Sequence, residues 1–87
     1  MEIKRFEVTN RDMAMGAYAN NKMLDLSRHI ITLTHENPIG YSKEINELVK
    51  TIEALQTVIA HCLGFYSWDD LALWIAMYGN PIPETKD

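Results

Sequence analysis

The chain has 87 residues, a hydrophobic fraction of 47% and a formal net charge of −4. One domain of this length buries only roughly 60–65% of its unfolded surface, yet the apolar content is too high for a disordered chain. The single cysteine, Cys62, excludes an intrachain disulfide framework, and the acidic balance disfavours a phosphate backbone as the main partner.

Residues 1–8 form an extended arm, in which Phe6 and Val8 alternate with charged neighbours. The chain offers this arm no second strand, so we expect it to lie on helices or to pair with another subunit. Thr9 then caps a first helix over about 10–35, with Asp12 at the third helical position completing a capping box. Ala19, Met23, Leu26, Ile30 and Leu33 give that helix an apolar seam. Gly16 and the Asn20-Asn21 pair are weak helix formers and predict a bend. Glu36-Asn37-Pro38 ends the helix, because the residue before proline is pushed out of the α region.

A second helix over about 42–63 starts at Ser42 as its expected N-cap. Its seam is Ile45, Leu48, Ile52, Leu55, Ile59 and Cys62, and Gly64 is its natural terminator. A short turn between two seamed helices predicts an antiparallel hairpin. Ser67 caps a third helix over about 68–78, with Asp69 and Asp70 at the positive end of its dipole. Gly79-Asn80-Pro81 stops it, and residues 80–87 read as a frayed tail. The fold class is therefore all-α, a single domain over 1–87.

The third helix carries eight apolar residues in a row, Leu71 to Tyr78. A helix apolar on every side must be buried on every side. At roughly 16 Å it spans only half of a hairpin whose helices run roughly 37 and 30 Å. Part of the seam then stays bare, and so does the outward side of the third helix. A two-fold homodimer would cover both, so we expect a homo-oligomer, a dimer first, with Trp68, Leu71, Leu73, Trp74, Met77 and Tyr78 at the protein interface.

No catalytic, metal-ligating or cofactor-binding residue is nominated. Asp25 and His29 share a helix face, but no second pair follows to complete a tetrahedral site. Glu36 neighbours His35 at a helix end, where a cation suits the dipole and no metal is needed. His61 and Cys62 are adjacent and point about 100° apart on a helix. Cys62 falls in the apolar seam, where a thiol is inert, and the four glycines lie too far apart to cradle a phosphate.

Gln56, Ala60, Leu63-Gly64, Ser67 and Trp74-Ile75 resemble a helix-turn-helix. In that family a small residue lets two helices cross, a glycine makes the turn and a recognition helix follows. The resemblance implies a DNA-binding transcriptional regulator using residues 56–78. The turn is one residue longer than the common pattern, and the would-be recognition helix opens with Trp68-Asp69-Asp70. Two carboxylates stand where phosphates and base edges would be met, and no Arg, Lys, Asn or Gln follows in that helix.

The sequence therefore predicts a non-enzymatic, acidic helical interaction protein that acts as an oligomer and inhibits or adapts another macromolecule. A phage or mobile-element inhibitor of a host or defence protein is one such context. There is no leader pattern and no apolar run near 18 residues, so we expect a soluble cytoplasmic protein with no membrane partner.

Overall fold

The computed structural model describes residues 2–83. Three helices follow one another: α1 Asn10–Glu36, α2 Ser42–Cys62 and α3 Trp68–Tyr78. The all-α architecture read from the sequence is the one observed, with ends displaced by a single residue at Glu36 and Cys62.

Local hydrogen bonds explain each boundary. The Thr9 hydroxyl accepts from the Asp12 N–H at 3.1 Å, and the Asp12 carboxylate accepts from the Thr9 N–H at 3.1 Å, so the capping box is complete. At the tip of the hairpin, the Asn37 side-chain oxygen accepts from the Gly40 N–H at 3.0 Å. That turn corrects the expectation for Ser42. The N-cap is Tyr41, without a side-chain bond, and Ser42 is the first helical residue. The Ser42 N–H already donates to the Ile39 carbonyl and the Ile45 N–H to Tyr41, so the turn itself starts the helix.

α2 ends in a Schellman motif. The Phe65 N–H donates to the Ala60 carbonyl and the Gly64 N–H to His61, while Gly64 takes φ +89°. The N-terminal arm docks on this turn. The Phe6 N–H donates to the Gly64 carbonyl at 2.9 Å, and Arg5 and Phe65 form an isolated antiparallel bridge. The arm thus lies on the helices, the first of the two expectations, with Ile3 against the core and Arg5 over Trp74 of α3, and its Phe6 N–H pairs with the open carbonyl of the glycine turn within the same chain. A Cβ at Gly64 would stand 2.4 Å from the Phe6 carbonyl oxygen, so both the conformation and the approach require glycine.

The core lies at the end of the hairpin where α1 begins and α2 finishes. Ile59, Leu63, Phe65 and Leu71 are fully buried there with Ala19 and Ala60, and Met13, Met23, Leu55, Trp68, Trp74 and Ile75 pack around them. Ile3 of the arm and Ile82 close the same cluster. Residues 80–83 are therefore anchored rather than frayed, with the Ile82 N–H donating to the Asn80 side chain at 3.0 Å. The remainder of the expected tail, 84–87, lies outside the described residues.

α1 runs unbroken through Gly16. Gly16 lets α2 come close: a Cβ there would sit 3.0 Å from the Cys62 Cβ and 3.4 Å from Leu63. α3 packs on α2 and makes no close backbone approach to α1. With 27, 21 and 11 residues, the helices run about 40, 31 and 16 Å. α3 is about half as long as α2 and well under half as long as α1.

The unequal lengths leave a surplus of surface. The chain exposes 6382 Å², against roughly 5,200 Å² for a compact monomer of this mass. Its radius of gyration is 14.6 Å, against roughly 12 Å for a compact chain of this length.

Candidate functional site

The six residues nominated on α3 divide into two groups. Leu71 is 0% exposed and offers no surface to a partner; it is the centre of the chain's own core. It shares a buried cluster with Leu63 and Phe65, on a helix whose start is capped by Ser67, which accepts from the Asp70 N–H at 3.1 Å. Trp68 and Trp74 also pack against that core. Trp74 meets Phe65 edge-on at 5.6 Å and Tyr78 at 4.5 Å. The Arg5 guanidinium lies 4.5 Å from the Phe65 ring and 4.6 Å from Trp74, and it donates to the Leu63 carbonyl at 2.9 Å. A cation over two aromatic faces that also satisfies a helix-end carbonyl fixes the arm, α2 and α3 to one another.

Met77 and Tyr78 stay exposed, at 53% and 65%, and Leu73 is half-buried. The outward stripe of α3 is Asp69, Ala72, Leu73, Ala76 and Met77. These positions recur at i, i+3, i+4, i+7 and i+8, the spacing of one helix face. The stripe is apolar with small residues at its middle and a carboxylate at its start.

A second surface lies on the hairpin itself. Arg11, Ala14, Met15, Tyr18 and Ala19 of α1 and Val58 of α2 line an open groove of about 400 Å³. Met15, Tyr18 and Val58 are 52%, 62% and 45% exposed. The Lys22 ammonium stands 5.4 Å from the Tyr18 ring. Among the described residues the Arg11 guanidinium has no ion pair. The groove is thus an apolar trough with the Arg11 cation in its lining, and Lys22 lies beyond Ala19 on the same helix. Val58 and Ala60 are about 200° apart around α2. Ala60 is fully buried in the cluster that holds Leu71, and Ala19 of the groove lining belongs to the same cluster; most of the lining is on α1, to which α3 makes no close backbone approach.

The sequence reading passed over this groove because it followed the seam alone. The available signal was Arg11, Met15, Tyr18 and Lys22, spaced 4, 3 and 4 along one flank of α1. Elsewhere on the hairpin, Leu24, Ile31 and Val49 are 41%, 59% and 39% exposed, and Ile39 at the hairpin tip is 86% exposed.

The titratable groups are dispersed. His29, His35 and His61 are all exposed. Asp25 pairs with Arg28 at 3.2 Å, one helical turn on, and its carboxylate is thereby drawn to Arg28. Burial pushes the Cys62 thiol above its ordinary range, and the Asp12 carboxylate adds to the shift; both favour the thiol over the nucleophilic thiolate. Among the described residues no three His, Cys, Asp or Glu side chains converge as metal ligands, and no polar or charged residue is buried. No described helix is long and apolar enough to cross a membrane. The start of α3 presents Asp69 to solvent, an unfavourable charge for a phosphate backbone.

No protein-family model matches the chain, and no curated protein or solved structure is similar to it.

Proposed function

We propose that this chain is a non-enzymatic helical interaction protein that self-associates and acts, as an assembly, by occupying the surface of another protein. One observation carries the reading: the 6382 Å² of exposed surface exceeds that of a compact monomer by roughly 1,100 Å². A standard interface takes about 800 Å² from each partner, so the surplus is large enough for one. Large apolar side chains are among the exposed ones: Met15, Tyr18 and Val58, Met77 and Tyr78, and Leu24, Ile31 and Val49. Apolar patches that a short third helix leaves bare mark interaction sites.

Light scattering across micromolar to millimolar protein tests the reading. The expected result is a mass above the 10.0 kDa of the single chain, rising with concentration. A constant mass of one chain throughout that range would sink self-association.

A further inference from the structure

We propose that the groove between α1 and α2 receives α3 of a second copy of this chain, so that the copies join head to tail. The inference rests on the self-association reading and names its two faces. The groove supplies apolar walls at Met15, Tyr18 and Val58, with Ala14 and Ala19 also lining it. The outward stripe of α3 supplies a matching ridge of Ala72, Leu73, Ala76 and Met77. Two alanines in mid-stripe let the helix sink between the larger groove side chains, as in other helix-in-groove contacts.

Length and charge agree. The α1 residues that line the groove, Arg11 to Ala19, extend about 12 Å, enough to seat most of the roughly 16 Å of α3. Arg11 puts a cation on the lining although the chain's net charge is −4, and the stripe begins with the exposed carboxylate of Asp69. Among the described residues neither Arg11 nor Asp69 has an ion-pair partner in its own chain. In the assembly the Asp69 carboxylate accepts from the Arg11 guanidinium of the neighbour, which fixes the register.

The groove and the stripe are different surfaces, on the hairpin and on α3. A stripe seated in a neighbour's groove leaves the first copy's groove and the neighbour's stripe free for further copies. Such a heterologous contact closes a ring or grows a chain, unlike the two-fold dimer that the sequence suggests.

A mixing experiment with two surface variants decides the matter. Tyr18→Glu spoils the groove and Met77→Glu spoils the stripe. Both positions are more than half exposed, and helical circular dichroism confirms that each variant is folded. Alone, each is expected to stay at one chain's mass, with apparent Kd raised at least tenfold. Mixed at equal amounts, they are expected to form a complex of two chains that grows no further, because one intact stripe meets one intact groove. Either variant assembling like the unmodified chain would overturn the groove while leaving self-association standing. A mixture that stays monomeric would overturn it too. An unmodified chain that is monomeric at millimolar concentration would remove the self-association reading itself.

Discussion

The two ends of the hairpin are built from similar residues and packed in different ways. At the closed end, α3, the arm and Ile82 add a layer to α1 and α2, and Ile59, Leu63, Phe65 and Leu71 reach 0% exposure. At the open end, two helices face each other alone. Leu33 is buried there at 8%, but Ile31 and Val49 remain 59% and 39% exposed. Apolar content does not separate these ends. The number of layers does, since a pair of helices can bury only the stripe where they touch. Stability is thus expected to be concentrated at the closed end, and exposed apolar surface is divided among the open end, the groove and α3.

The strongest way to break this contrast is Phe65→Ala. The ring is wholly buried, meets Trp74 edge-on and lies under Arg5. Its loss is expected to cost about 3–5 kcal/mol, a large part of the stability of a small domain. Urea denaturation followed by tryptophan fluorescence measures it. A loss below about 1 kcal/mol would mean that the closed end is not the stabilising core.

Gly64→Ala comes next. Here φ is +89°, and the added methyl would meet the Phe6 carbonyl oxygen at 2.4 Å. Strain at such a position costs about 1–3 kcal/mol. The arm should be displaced, so the Phe6 amide is expected to lose its hydrogen-exchange protection ahead of α2. Retained protection at Phe6 would show that the turn tolerates a side chain.

What the sequence revealed follows the same division. Helix ends were legible because their causes are local. Thr9 with Asp12, Pro38, Gly64, Ser67 and Gly79 each act within a few residues. Arg5 was not legible. Its hydrogen-bond partner, Leu63, is 58 residues away, and a charged residue in an alternating arm gives no hint of an aromatic cage. Leu71 was read as interface because it opens an apolar run, and only the seating of α3 on α2 shows that it is core. Gly16 was read through its propensity, while its role depends on Cys62 of another helix. Pairing between distant segments, not helix formation, was the missing information.

The smallest expected effect is the most discriminating test of the open end. Ile31 is 59% exposed, so truncation to alanine forfeits under half of a burial worth about 1.5–3 kcal/mol in full. Alanine returns a few tenths of a kcal/mol through its better helix propensity. The second term offsets part of the first, and Ile31→Ala should change the unfolding free energy by no more than about 1 kcal/mol in dilute solution. The measurement belongs at two protein concentrations. A loss of 2 kcal/mol or more that grows with concentration would mean that the strip of Leu24, Ile31 and Val49 is covered in the assembled protein, because only a bound neighbour can make an exposed isoleucine behave as core. A null effect at both concentrations would leave the groove and the α3 stripe as the surfaces through which the copies meet.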